Sequence, residues 1–198
     1  MSDIQIVQAE DPRVADLEAF GYRLVGESWG ARLRLAEPPD LTKIERAVAK
    51  AEVSGITIRE LSVDYAGAVY ELELANNADY PFTPATFQPP PERESIRGLW
   101  DSGKRVFGAL DGDILVAVVV GQVVDGTGDN DFASVLSTHR GRGRGLGAAV
   151  AAASIVAFAN EGVRVFTAGG AGVNAASLGL VRSMGSHVEE QWRSYERD

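Results

Sequence analysis

Cysteine is absent from the 198 residues of this chain, which excludes disulfides, thiolate nucleophiles and cysteine-type metal sites. Histidine is scarce. With only His139 and His187, neither a histidine-rich metal centre nor a Cys–His dyad can be assembled, and no metal is expected. Long hydrophobic runs are missing as well: Ile114–Val120 and Ala148–Ala159, the longest, fall far short of the roughly 20 residues that span a bilayer. The amino-terminal MSDIQIVQAED has neither the basic nor the apolar stretch of a secretory signal, so the expected localisation is cytoplasmic. Positive charge is in deficit. A net charge of −9 and a pI near 4.8 argue against nucleic acid and anionic membranes as partners and leave room for a cationic one. What is there is ordinary: 45% hydrophobic and 24% charged residues exclude wholesale disorder, and the length suits one domain with or without a small extension.

The pattern along the chain predicts alternating strands and helices. Ile4–Val7 reads as a strand, Asp11–Phe20 as a helix stopped by Gly21, and Tyr22–Val25 and Ala31–Leu35 as short strands around a turn at Glu27–Gly30. Asp40 caps a helix over Leu41–Val53. From Gly55 onward the alternation is more regular: a strand to Leu61, a helix over Val63–Ala75, a proline-rich loop from Pro81 to Pro91, and a short helix over Glu92–Trp100. Two strands, Arg105–Leu110 and Ile114–Val124, flank the hairpin signal Asp111–Gly112–Asp113. Asp131–Leu136 is a strand and Gly145–Asn160 a long helix; Arg164–Thr167, Ala175–Met184 and Val188–Tyr195 follow as strand, helix and strand. This order predicts an α/β (α+β) architecture, a mixed central sheet flanked by helices. Residues 1–54 read as an accessory amino-terminal segment and 55–198 as the main domain. An internal echo links Leu17–Gly21, extended on to Trp29, with Val181–Gly185, extended on to Trp192. The helix over Ala148–Ala159 has no charged face, so it must be covered on more than one side, by residues 1–54 or by a second subunit in a homodimer.

The chemistry lies in Ser134-Val-Leu-Ser-Thr-His-Arg-Gly-Arg-Gly-Arg-Gly-Leu-Gly-Ala-Ala149, where a strand runs through a glycine-rich turn into a helix. Glycines allow positive φ and close backbone approach, and the first helical amides have no intrahelical acceptor. A polyphosphate is the natural guest, with Arg140, Arg142 and Arg144 as cationic donors around it. No Gly-Lys-Ser/Thr closes the turn, so it is not a Walker loop. Gly143-x-Gly145-x-x-Ala148 fits a relaxed dinucleotide fingerprint, but no acidic residue ends a strand about 20 residues later.

This segment resembles the acetyl-CoA motif of the GNAT superfamily of N-acetyltransferases, Arg/Gln-x-x-Gly-x-Gly/Ala at a strand-to-helix turn. It fits in two registers, Arg140-x-x-Gly143-x-Gly145 and Arg142-x-x-Gly145-x-Gly147. Downstream, Asn174-Ala-Ala-Ser-Leu and the helix ending at Met184–Gly185 resemble the family's last turn and helix, so the likeness covers Gly55 to Asp198. The resemblance implies a GNAT-like fold and transfer of an acetyl or other short acyl group from acetyl-CoA to a primary amine of a small molecule or peptide. It implies that the pyrophosphate rests on Arg142, Gly143, Arg144, Gly145, Leu146, Gly147 and Ala148. The pantetheine arm would then pair with the backbone of Val135, Leu136 and Ser137, and Asn174 would contact CoA or simply cap the last helix. The resemblance also implies a carboxylate base on the motif strand, for which Asp131, read as sharing a strand face with Ala133 and Val135, is the candidate, with a solvated aspartate at the strand start as the rival reading. The tyrosine that often serves as acid in the family falls here on Val181, with Tyr195, Tyr80 and Tyr65 as substitutes, and the family's last phenylalanine falls on Ser186. The acceptor pocket would draw on Tyr65, Glu71, Glu73, Tyr80, Phe82, Phe87 and Trp100, acidic and aromatic groups that suit a cationic amine and equally suit a core and a solvated helix face. The alternative is a non-catalytic acyl-CoA-binding or protein-interaction module of the same fold.

Overall fold

The alternating pattern becomes eight strands and six helices in a computed structural model that describes residues 3–87 and 89–197. Gln88, within the proline-rich loop, lies outside these residues, as do Met1, Ser2 and Asp198. In chain order the elements are β1 (Asp3–Gln8), α1 (Arg13–Ala19), β2 (Arg23–Arg34), α2 (Thr42–Val53), β3 (Ile56–Leu61), α3 (Ala66–Asn76), α4 (Arg93–Asp101), β4 (Arg105–Asp111), β5 (Ile114–Val124), β6 (Thr127–Val135), α5 (Leu146–Asn160), β7 (Val165–Ala171), α6 (Ala175–Ser183) and β8 (His187–Arg197). They form two compact units, so residues 1–54 are divided: Met1–Arg32, Tyr80–Pro89 and Ala168–Asp198 make the smaller unit, Leu33–Asp79 and Pro90–Thr167 the larger.

The sheet of the larger unit has the order β7-β6-β5-β4-β3, antiparallel except for β6 and β7, which run parallel. The unbroken apolar run Leu115–Val120 explains why β5 sits at its centre, because such a run cannot face water on either side. One face of the sheet buries Phe107, Ala109, Ala117 and Val119 against Leu146, Ala149 and Val150 of α5 and Ala51 of α2. The other buries Val106, Leu110, Val118 and Val120 against Val69 and Leu72 of α3 and Ile96 of α4. Gly121 lets α5 approach closely, since a Cβ there would stand 2.5 Å from Ser154 Oγ and 2.8 Å from the Phe158 ring. The uniformly apolar α5 is thus covered on one side by the sheet and on the other by α2.

In the smaller unit the strand order is β1-β8-β2-β7. Glu27–Gly30 is not a turn. It lies inside the single strand β2, and its glycines serve close approach: a Cβ on Gly26 would meet Thr83 at 2.8 Å, and one on Gly30 would meet Glu190 at 3.2 Å. β2 and β8 pair antiparallel with a local two-fold symmetry. The pairs Arg23↔Glu196 and Arg32↔His187 exchange, as do Glu27↔Arg193 and Trp29↔Gln191, and Ser28↔Trp192 maps onto itself. Each strand also bulges at the equivalent place, one at Val25 and the other at Glu189. The turns that lead into them match: Phe20, Gly21 and Tyr22 N–H donate to Leu17, Glu18 and Leu17, while Met184, Gly185 and Ser186 donate to Val181, Arg182 and Val181. Gly21 and Gly185 both have positive φ, 83° and 99°. The repeated pentapeptides therefore sit at equivalent positions of a β-α-β pair.

Candidate functional site

The candidate site is centred on β6 and the turn after it, within the larger unit. β6 begins at Thr127, earlier than the sequence pattern suggests, because Asp125 (φ 50°) and Gly126 (φ 76°) close a tight hairpin from β5. It pairs with β5 along its length but with β7 over only three rungs, Thr127↔Val165 to Asp129↔Thr167. Among the described residues the ladder to β7 stops there, and residues 130–135 keep a free edge. Leu136 N–H donates to Val116 O at 2.9 Å, so the amide and carbonyl of the preceding Val135 point away from β5, toward that edge. The carbonyl accepts from Arg140 Nε at 2.7 Å. The Leu136 carbonyl accepts from His139 N–H at 2.8 Å and that of Ser137 from Arg140 N–H at 3.3 Å. Of the backbone groups expected to pair with a pantetheine arm, Leu136 has both of its own engaged, and Val135 offers its amide.

The turn itself has alternating backbone handedness. Gly141, Gly143 and Gly145 take φ of 70°, 71° and 68°, whereas Arg142 and Arg144 between them do not have positive φ. Alternation of φ sign curls successive N–H groups toward one point, the arrangement known as a nest. It opens onto α5, whose first internal bond runs from Ala149 N–H to Gly145 O at 2.9 Å. The amides of Leu146, Gly147 and Ala148 therefore have no acceptor within the helix, and the helix dipole adds positive potential there. Gly145, shared by both motif registers, occupies the junction.

Two carboxylates hold the arginines in place. Arg140 Nη1 pairs with Asp79 at 2.6 Å, and Arg144 Nη1 with Asp111 at 2.9 Å. His139 Nε2 lies 3.4 Å from Asp111, and the Arg144 guanidinium is the main cause that holds the Asp111 carboxyl below the usual carboxylate range. Arg142 is exposed and has no ion-pair partner among the described residues. These carboxylates could not be found from spacing, because Asp79 and Asp111 lie far from the motif in sequence.

Asp131 does not share the face of Ala133 and Val135. It is the extra residue of a β-bulge, flanked by the pairs Val120↔Phe132 and Gly121↔Asn130. The bulge breaks the alternation: Asn130 meets Ser154 of α5, whereas Phe132 and Ser134 face α3. Asp131 is exposed and pairs with Lys104 Nζ at 2.6 Å. Asn174 lies in the smaller unit, where its Oδ1 accepts from Ser177 N–H at 3.0 Å, the capping role.

The acceptor candidates separate by environment. Tyr65 and Trp100 pack against the core, with Trp100 Nε1 donating to Leu61 O at 2.8 Å and Tyr65 bonded to Arg59. Glu71 is solvated and pairs with Arg93. Tyr80, Phe82 and Phe87 belong to the smaller unit, where the two phenylalanines stack edge to face with ring centres 5.6 Å apart. Glu73 is buried. Asn76 and Ser134, joined by a buried bond of 2.8 Å, escaped the sequence reading, although Asn76 does continue the apolar spacing of Val69 and Leu72. Among the tyrosine substitutes, Tyr195 is fully buried and bonded to Glu18, and Val181 is a core residue beside Trp29 and Ala31. No cluster of three potential metal ligands occurs among the described residues, and no helix there is long and apolar enough to cross a membrane.

No family model and no curated protein matches the sequence. Solved structures do. A GCN5-related N-acetyltransferase from Sphaerobacter thermophilus superposes with a TM-score of 0.74 at 22% identity, covering 100% of this chain and 59% of that one. A tandem GNAT protein from the clavulanic acid biosynthesis pathway gives 0.64 at 16% identity, covering 99% of this chain and 63% of its own. The Salmonella typhimurium protein yncA, solved with acetyl-CoA, gives 0.58 at 18% identity over 72% of this chain and 93% of its own. This chain spans less than two thirds of the length of the first two.

Proposed function

On the fold of the GCN5-related N-acetyltransferases, which this chain shares, we propose that the protein transfers an acetyl or other short acyl group from acetyl-CoA to a primary amine of a small molecule or peptide, by direct attack with both substrates bound. The observation that carries this reading is one continuous arrangement in β6, the turn and α5: an outward Val135 amide, a φ-alternating nest, and three amides with no acceptor within the helix. A thioester linked to a pyrophosphate needs both ends of that arrangement.

The backbone from Arg142 to Ala148 would hold the pyrophosphate, with Arg142 free to contribute a charge-assisted bond. Arg140 and Arg144 can add theirs by exchanging a carboxylate for a phosphate. Acetyl-CoA supplies the activated acyl group. The Val135 N–H is directed where negative charge develops on the carbonyl oxygen as the amine attacks, and a pre-oriented donor there lowers the barrier without reorganisation. Asp131, the motif-strand carboxylate, carries a charge already matched by Lys104. A thiolate leaves without an obligatory acid, since free thiols titrate near 8.5, so Val181 in the tyrosine position is compatible with turnover. The same Val181 favours a second reading, a module that binds acyl-CoA without turning it over.

Thermal unfolding with acetyl-CoA, CoA and NAD tests the donor site. Ligand at about 100 times its dissociation constant adds roughly 2.7 kcal/mol, or several degrees in a chain of this size. Stabilisation by acetyl-CoA but not NAD is expected; no shift with either CoA species refutes the reading. Release of free CoA on addition of primary amines then separates the enzyme from the binding module.

A further inference from the structure

Helix α3 places its residues the wrong way round for stability alone. It turns Val69, Leu72, Glu73 and Asn76 inward and leaves Leu74 47% exposed. Residues 69, 72, 73 and 76 form one helical stripe, so a carboxylate and an amide occupy core positions while a leucine faces water. Glu73 is 8% exposed and Asn76 only 1%. Local rules of this kind are broken mainly at functional sites.

The stripe is fixed against the reactive end of β6. Asn76 Nδ2 donates to Ser134 Oγ at 2.8 Å, and Ser134 is the residue before Val135. Asn76 Oδ1 is also buried and has no hydrogen-bond partner among the described residues. Buried carbonyl oxygens are seldom left unpaired, and one that lacks a protein partner commonly marks a catalytic role or a bound water. Phe132, two residues earlier on the same face of β6, packs with Val69 and Leu72. Glu73 is three residues before Asn76, about 4.5 Å of helix rise, and on the same stripe. Glu73 thus shares the buried stripe of α3 whose Asn76 is bonded to Ser134, the residue before the Val135 amide. The sequence-based candidate, Asp131, is exposed at the bulge, outside this stripe.

Resting on that reading of the site, we propose that Glu73 takes the proton from the acceptor ammonium, directly or through one water, and that Asn76 Oδ1 accepts a hydrogen bond from the same amine or water. The ammonium loses one proton to the Glu73 carboxylate. The freed nitrogen lone pair forms the C–N bond as the C–S bond breaks, the electron pair leaves on sulfur, and the second nitrogen proton passes to the thiolate to give free CoA. Glu73 then returns its proton to solvent. The substrate class is a primary amine that is cationic in water and small or extended enough to present its head between α3 and β6.

The test compares Glu73→Gln, Glu73→Asp, Asp131→Asn and the surface control Glu52→Gln on α2, with tyramine and spermidine as amine probes. Three quantities are read: acetyl-CoA affinity by calorimetry, amine binding to the protein–CoA complex, and the pH profile of kcat/KM from CoA release. Glu73→Gln should bind acetyl-CoA as the wild type does, bind amine more weakly, release CoA at least about 100-fold more slowly, and lose the acid limb of the profile. Glu73→Asp should keep that limb at a reduced rate, and Glu52→Gln should match the wild type. Full activity in Glu73→Gln, or loss of the acid limb in Asp131→Asn with its retention in Glu73→Gln, overturns the assignment but leaves the transferase reading standing. A wild type that binds acetyl-CoA yet releases none with either amine overturns both in favour of the binding module. No acetyl-CoA binding at all refutes the donor site itself.

Discussion

Replacing Gly145 with alanine isolates the backbone's part in the anion cradle. Gly145 has φ 68° and ψ 32°, and a Cβ there meets nothing within 4 Å, so the penalty is purely conformational. The left-handed region costs an L-residue about 1–2 kcal/mol, which lowers the melting temperature by a few degrees in a chain of this length. Gly126 provides the control. It has φ 76°, it is equally open, and it lies in the hairpin at the far end of β6 from Val135. Gly126→Ala should therefore lose a similar amount of stability. The two variants part when acetyl-CoA is added. Alanine at 145 relaxes toward negative φ and turns amides out of the nest, so binding must restore the left-handed geometry at the same cost of about 1–2 kcal/mol, or roughly 5- to 30-fold in Kd. Calorimetric Kd values and melting temperatures for both variants decide the matter, and Gly145→Asn should recover part of the loss because asparagine enters the left-handed region more readily. An unchanged Kd in Gly145→Ala, alongside the expected stability loss, would refute the nest as the polyphosphate site.

Arg142→Ala, which removes the one cation of the turn without an ion-pair partner among the described residues, should weaken acetyl-CoA by roughly tenfold, the worth of a charge-assisted bond, and should flatten the salt dependence of Kd. Asp111 has its carboxyl lowered by Arg144, so its stabilising effect is present above the unfolded-state value near 4 and fades as pH falls through the lower folded-state value. Melting curves of wild type and Asp111→Asn should differ at neutral pH and converge in acid; a difference that persists in strong acid contradicts the pairing. Gly121→Ala should cost about 1–3 kcal/mol through overpacking against Ser154 and Phe158, measured by denaturant titration. Deleting residues 1–34 removes β2 from between β8 and β7, and with it Trp29 and Ala31 from a buried cluster, so no soluble folded monomer should be recovered.

Much of this protein was legible in its sequence because the signals are local. Glycines alternating with arginines between a strand and an apolar helix predict the cradle, since positive φ and unpaired amides depend on nearest neighbours alone. The apolar runs placed β5 and α5, and the absence of any charged face on α5 required the second cover that α2 provides. The interior glycines of β2 misled: locally Gly26 and Gly30 look like a turn, and only the approach of Thr83 and Glu190 explains why a strand needs them.

Tertiary structure alone decided the rest, because those features depend on partners distant in the chain. The bulge that turns Asp131 toward Lys104 exists only in the register of β6 on β5. The carboxylates that hold Arg140 and Arg144 come from just beyond α3 and from the end of β4. Glu73 and Asn76 look in sequence like the polar residues of a helix. Packing turns them inward, Asn76 onto Ser134 of β6, because the stripe that holds Val69 and Leu72 in the core carries residues 73 and 76 with it. Sequence determined the turn of alternating φ; the fold determined which polar residues of α3 are buried beside β6.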